Sequence, residues 1–154
     1  MLSEGDAAPA FELPRDGGEM VGLGQFKGKP VVVYFYPKDD TSGCTMQAVG
    51  FSEQIAAFRE AGAEVIGISP DSIKSHDKFR KKYELKLLLL ADEEKSAIEA
   101  YGVWAEKKLY GRSYMGVDRS TFLIGKDGKV KRIWRAVKVP GHVEEVLAAV
   151  KALS

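Results

Sequence analysis

Cysteine is nearly absent from this sequence: Cys44 is the single one among 154 residues, so no internal disulfide can brace the fold. Without a second cysteine there is no C-x-x-C pair, the usual equipment for disulfide exchange. Histidine is almost as scarce. His76 and His142 lie far apart, and no spaced set of His, Cys and carboxylates has the pattern of a zinc site. Long apolar runs are missing too. None approaches the roughly 20 residues a membrane-spanning helix needs, and Met1-Leu2-Ser3-Glu4-Gly5-Asp6 has neither the basic start nor the apolar segment of a secretion signal. A lone thiol without such a signal suits a reducing compartment, and the cytoplasm is the expected location. Charge of one sign is also lacking: 23 Lys and Arg against 22 Asp and Glu leave a formal net charge of +1. That gives no field to draw nucleic acid or an anionic membrane, so neither is an expected partner. The densest basic stretch, Lys78 to Lys82, falls in a helical pattern and reads as a solvated face.

What is present is an ordinary globular composition, 45% hydrophobic and 29% charged, at a length that fits one domain over residues 1–154. Val31 to Tyr36 is apolar on both alternating faces, as a strand covered above and below must be, and Pro37 stops it. Segments of similar character run over 64–69, 87–91 and 120–124. The Asp127-Gly128 turn then leads into a further strand pattern over 130–136. Helical periodicity covers 44–60, 73–83, 95–101 and 143–153. This alternation predicts an α/β fold: a central mixed sheet flanked by helices, built first from parallel crossovers and then from an antiparallel hairpin and a closing helix. The stretch up to Lys29, rich in glycine and proline, reads as turns, a short hairpin and a lead-in that wraps the sheet edge. Its run from Gly22 to Lys29 has the wrong glycine spacing for a phosphate loop, and Pro30 stands where a magnesium-binding Ser or Thr would be needed, so nucleotide binding is rejected.

Cys44 follows a buried strand, a proline stop and the capping-rich loop Lys38-Asp39-Asp40-Thr41-Ser42-Gly43, which opens into a helix. Its sulfur therefore sits in a first helical turn, where unpaired N–H groups and the positive end of the helix dipole favour the nucleophilic thiolate. A structural reading competes. Cys44, Ala48, Phe51, Ile55 and Phe58 fall on one apolar stripe, and a free cysteine often serves as a small core residue. The local pattern leaves both open.

The segment Tyr34-Phe35-Tyr36-Pro37-Lys38-Asp39-Asp40-Thr41-Ser42-Gly43-Cys44-Thr45 closely resembles the peroxidatic signature of peroxiredoxins, and is most similar to the bacterioferritin comigratory protein, or Q-type, branch. The resemblance extends in order through Val65 to Ser69, Leu90-Ala91-Asp92, Tyr101 to Trp104 and Gly116 to Ile124, which is nearly the whole chain. It implies a thioredoxin-like fold and a thiol peroxidase for hydrogen peroxide and organic hydroperoxides, with no cofactor. Carried over residue by residue, it implies that Cys44 attacks the peroxide, Thr41 places its hydroxyl on the sulfur and the substrate oxygen, Pro37 shields the pocket, and Arg119 holds its guanidinium beside the thiolate. Gln47 would orient that arginine. The chain departs from the branch where many relatives carry a resolving cysteine: Val49 stands at one such position, and the helix over 73–83 has none. The reductant is then an external thiol, thioredoxin or a glutaredoxin-like protein, and a monomer or weak homodimer is expected.

Each residue also has a plainer reading. Thr41 could be only a helix cap, Pro37 only a strand stop, and Arg119 with Asp118 an exposed strand-end pair. His142, just ahead of Glu144 and Glu145, reads as hydrogen-bonding at a helix start. Trp104, Tyr110 and Tyr114 read as core aromatics in a segment folded over the sheet edge.

Overall fold

The computed structural model describes residues 2–153. In chain order, β1 (Glu12–Pro14) and β2 (Met20–Gly22) form a small hairpin, and a 3-10 turn (Leu23–Phe26) leads into β3 (Val31–Phe35). Then follow α1 (Ser42–Glu53), α2 (Ile55–Glu60), β4 (Glu64–Ser69), α3 (Ile73–Tyr83), β5 (Leu88–Ala91) and α4 (Ser96–Ala100). A second hairpin, β6 (Trp104–Leu109) and β7 (Arg112–Val117), precedes β8 (Ser120–Ile124), β9 (Val130–Trp134) and the closing α5 (His142–Lys151).

The central sheet has the order β5-β4-β3-β8-β9. β3, β4 and β5 run parallel, β8 is antiparallel to β3, and β9 is antiparallel to β8. This is the mixed sheet that the strand pattern predicts, thioredoxin-like as the resemblance implies, with the wholly apolar β3 at its centre and every residue of it buried. Alternation along β3 divides the core. Val32, Tyr34 and Tyr36 pack with Phe51 and Phe58 of α1 and α2, Phe79 of α3 and Val146 of α5. Val31, Val33 and Phe35 pack on the other face with Ile98 of α4, Tyr101, and Phe11, Leu13 and Val21 from the N-terminal segment. Helices do flank both faces, but unequally, and the N-terminal hairpin covers the face that α4 is too short to fill. The segment also touches both sides of the sheet, through bridges from Arg15 to Leu90 and from Ala7 to Lys129. Gly67 is required within β4: a Cβ there would lie 2.8 Å from the Tyr34 ring, which lies across it.

Some boundaries differ from the sequence pattern. The helical stripe over 44–60 is broken at Gln54, whose N–H reaches the carbonyls of both Gly50 and Phe51. Phe51, Ile55 and Phe58 stay buried across the break, so apolar periodicity cannot reveal it. β9 ends at Trp134 rather than 136, because Ala136 turns the chain at a φ of 48°. The largest difference is the hairpin over 104–117, which the pattern does not announce. Its turn is Tyr110-Gly111, with φ of 52° and 76°, a two-residue turn with both positions left-handed. Half-buried Trp104 packs against the core. Tyr110, 96% exposed, and Tyr114, 47% exposed, do not, contrary to the expectation for these aromatics. Glu106, Lys107, Lys108 and Arg112 interrupt its apolar residues, and only its base meets the core.

Candidate active site

The site forms where β3 ends and β8 begins. Tyr36 still donates its N–H to the Ile68 carbonyl at 3.1 Å, but Pro37 has no N–H to give, and the ladder stops there. The chain turns through Asp40, at φ 60°, and enters α1 with Thr41 as an extended N-cap residue. Cys44 is thereby the third residue of the helix, in the turn whose N–H groups lack intrahelical partners. Because β8 is antiparallel to β3, with Ser120 opposite Phe35, the residue before β8 emerges at the same end as the residue after β3. That residue is Arg119. Its backbone is held by a hydrogen bond from Val137 N–H to its carbonyl at 2.9 Å.

The guanidinium spans the helix's first turn. Nη2 donates to Cys44 Sγ at 3.3 Å and Nη1 donates to Gln47 Oε1 at 2.7 Å. Cys44 is 1% exposed and Gln47 fully buried, so the contact is largely shielded from water, where charge-dipole and ionic terms are stronger. Arg119 is turned into the site rather than forming an exposed pair with Asp118. Gly43 makes room for it: a Cβ at that position would stand 3.1 Å from Nη2. Nothing in the local sequence marks Gly43 for this, because the clash is with a residue far along the chain. Gln47 Nε2 is buried with no hydrogen-bond partner among the described residues, where only the oxygen end of that amide is used.

Thr41 is exposed, and its side chain makes no cap hydrogen bond. Its hydroxyl donates instead to the Lys38 carbonyl at 2.8 Å, which corrects the plain capping reading. With its proton committed to a carbonyl, the oxygen keeps lone pairs for an incoming donor. Pro37 is half-buried at the head of the same loop. Val49, at one expected resolving position, is partly buried against the core.

The histidines belong to other contacts. His142 Nε2 lies 2.8 Å from Thr121 Oγ1, not in the expected helix-start hydrogen bond. Burial lowers its pKa, which Glu145 opposes and Arg119 reinforces. His76 is buried between Asp39 and the Leu90 carbonyl. Among the described residues no cluster of three or more His, Cys, Asp or Glu could hold a metal ion. Nor is any helix among them long and apolar enough to cross a membrane.

Residues 4–133 match the AhpC/TSA family. The chain is 49% identical over 150 residues to the peroxiredoxin Bcp of Bacillus subtilis (strain 168), covering 97% of this chain and 96% of that protein. It is 42% identical over 146 residues to the peroxiredoxin Bcp of Escherichia coli (strain K12), covering 95% and 94%. Among solved structures it resembles the bacterioferritin comigratory protein of Xanthomonas campestris, studied for its alkyl peroxide reduction activity, with a TM-score of 0.88, 42% identity and coverage of 92% and 90%. It also resembles a cysteine-to-serine variant of Xylella fastidiosa PrxQ, with a TM-score of 0.94, 36% identity and coverage of 99% and 97%. Peroxiredoxin Q of Xanthomonas campestris, to which the chain is also 42% identical, has been solved with serine replacing cysteine at either of two positions, so that protein carries at least two cysteines where this chain has one.

Proposed function

Because the chain belongs to the AhpC/TSA family and is a peroxiredoxin, a thiol-dependent peroxidase, we propose that Cys44 is its peroxide-reducing thiol and that a thiol from outside the chain regenerates it. The observation that supports this most strongly is the 3.3 Å contact from Arg119 Nη2 to Cys44 Sγ, with the guanidinium held from its other side by Gln47. A half-buried cation against the sulfur stands where it can stabilise negative charge developing on the peroxide.

The thiolate attacks one peroxide oxygen in line with the O–O bond. An S–O bond forms, the O–O bond breaks, and the leaving oxygen takes a proton to depart as water or an alcohol. Sulfur has lost two electrons and the peroxide has gained them, leaving Cys44 as a sulfenic acid. Arg119 supports the leaving oxygen, and Thr41 is suited to accept a hydrogen bond from the substrate. Pro37, which offers no N–H, limits water at the mouth of the site. Hydrogen peroxide and organic hydroperoxides share the O–O bond this chemistry needs.

With one cysteine in the chain, an external thiolate attacks the sulfenic sulfur, releases water and forms a mixed disulfide that a second thiol opens. Thioredoxin, a glutaredoxin-like protein or a small thiol could serve, and a reducing cytoplasm supplies all three. Cys44, Arg119 and Gln47 come from one chain, so a monomer or weak homodimer would suffice. The test is to treat reduced protein with one equivalent of hydrogen peroxide and trap the product with a sulfenic-acid reagent for mass spectrometry. A trapped adduct on Cys44 that disappears when thioredoxin and its reductase are added first would support both halves. Peroxide loss without any adduct would contradict the first.

A further inference from the structure

The loop that delivers Cys44 is tied to the molecule by a buried cluster that the chemistry above does not use. Asp39 is 7% exposed, and both of its carboxylate oxygens are occupied. Oδ1 accepts from the Tyr36 hydroxyl at 2.7 Å, while Oδ2 meets the Ser75 hydroxyl at 2.8 Å and His76 Nδ1 at 2.7 Å. The Asp39 amide donates to Asp71 Oδ2 at 2.8 Å, an oxygen that also accepts from the Ser69 hydroxyl at 2.7 Å. His76 is fully buried, and its Nε2 lies 2.9 Å from the Leu90 carbonyl. Both ring nitrogens therefore face acceptors, a carboxylate and a carbonyl. Only the imidazolium, with two N–H donors, satisfies both.

Next to this anchor, Asp40 holds a left-handed φ of 60°, and its exposed carboxylate is gripped by Lys82 Nζ at 2.7 Å and the Tyr83 hydroxyl at 2.6 Å. The loop is thus fastened to α3 at a buried point and an exposed one, immediately before Thr41 and the first turn of α1. A charged hydrogen bond inside a dry cluster is far stiffer than one shared with solvent, so the buried point sets the position.

We propose that Asp39 and His76 form a positioning latch for the loop over 37–41, holding it against α3 and β5 and thereby fixing where α1 presents Cys44 to Arg119 and to peroxide. The proposal rests on the reading of Cys44 as the peroxide-reducing thiol. Neither residue touches the reacting atoms. Their effect passes through the backbone.

The latch carries a pH signature. The groups facing the His76 ring are Asp39 from the loop, Asp71 after β4, Tyr36 after β3, Ser75 on α3 and the Leu90 carbonyl of β5, and Arg80, one turn further along α3, is paired with Asp16. Burial alone would lower the imidazole pKa. The hydrogen bond and charge of Asp39, helped by the Leu90 carbonyl and Asp71, carry it above the ordinary 6.5. A folded value above the unfolded one means that the contribution of the charged pair is fully present below the unfolded value and is lost as pH rises through the folded one. The latch loosens on the alkaline side.

The experiment is the pH profile of the second-order reaction with hydrogen peroxide, measured against a competing peroxidase, for the wild type, His76→Asn and Asp39→Asn. Amide exchange over residues 39–44 is followed in parallel. His76→Asn keeps an N–H near the place of Nδ1 but cannot become charged. The wild-type rate should fall on its alkaline limb, and His76→Asn should lack that limb and react about tenfold more slowly near neutral pH, the scale of a sub-ångström misplacement. Asp39→Asn should be slower at every pH and exchange those amides faster. If Asp39→Asn does not fold, the wild-type limb and the His76→Asn profile decide. Folded variants with wild-type rates and an unchanged alkaline limb, even with lower melting temperatures, would overturn the latch and leave the peroxidase intact. A wild type no faster than a free thiol would overturn both.

Discussion

Two connections feed the same end of the sheet and are built in opposite ways. The loop from Tyr36 to Cys44 is short and locked, with Asp39, Gln47 and His76 buried around it and Asp39 engaged at both carboxylate oxygens. The hairpin over 104–117, which ends just before Arg119, stands on its own ladder, with Leu109 56%, Tyr110 96% and Met115 51% exposed. Precision enters the second connection only at its base. There Val103 and Val117 are buried, Asp118 N–H donates to the Val103 carbonyl at 2.8 Å, and Val137 holds the Arg119 carbonyl. Cys44 is thus positioned by the whole of its loop, whereas Arg119 is positioned by the few contacts that flank it. The tip of the hairpin is free to vary without consequence for the guanidinium.

Changes in the site should break this symmetry most. Cys44→Ser removes the proposed nucleophile and should reduce peroxide consumption to the buffer rate in a stopped-flow assay. Arg119→Ala should slow the same reaction by about 10²- to 10³-fold, the usual cost of removing one preorganised donor to developing charge, while leaving the fold intact by circular dichroism. Gly43→Ala should separate stability from activity. Its added methyl meets Arg119 Nη2 at 3.1 Å and must displace it by a few tenths of an ångström. The rate should then fall by up to about tenfold, although alanine is favoured over glycine in a helix by up to about 1 kcal/mol.

Smaller effects separate the two histidines. The folded pKa of His76 is raised, so its stabilisation is present below the unfolded value and lost as pH rises through the folded one. His142 is lowered by burial, so it costs nothing above its unfolded value and destabilises the fold as pH falls below it. Urea midpoints measured across pH should therefore lose their alkaline decline in His76→Asn and part of their acidic decline in His142→Gln. Smallest of all, Tyr110→Asn at the hairpin tip should leave the peroxide rate unchanged. It should shift stability by no more than about 0.5 kcal/mol, because asparagine suits the left-handed turn and the tyrosine ring touches mainly solvent.

The mixed sheet and its buried centre could be read from the sequence because β3 is apolar without interruption and Asp127-Gly128 marks the hairpin that follows β8. Cys44 stands out in the local pattern, which leaves its role open, whereas Pro37, Thr41 and Arg119 could be named only through resemblance. That Cys44 and Arg119 meet depends on the antiparallel pairing of Phe35 with Ser120, which no local pattern states. Asp39 and His76 meet across 37 residues, and the imidazole's two partners lie on a loop and on β5, so periodicity has no access to the cluster. The hairpin was missed for a different reason: Tyr110-Gly111 is not a usual signal for a left-handed turn, and its aromatic content suggests burial that the geometry does not provide.

The account rests on Cys44 reducing peroxide with help from Arg119 and without a resolving partner in the chain. Mixing reduced protein with only a slight molar excess of hydrogen peroxide, too little to carry the sulfenic acid on to sulfinic acid, and no added thiol, and following peroxide by a competing peroxidase, tests it most directly. The prediction is a fast phase that consumes one equivalent of peroxide per chain, halts, and resumes only when an external thiol is supplied. Consumption no faster than that of a free thiol would contradict the claim.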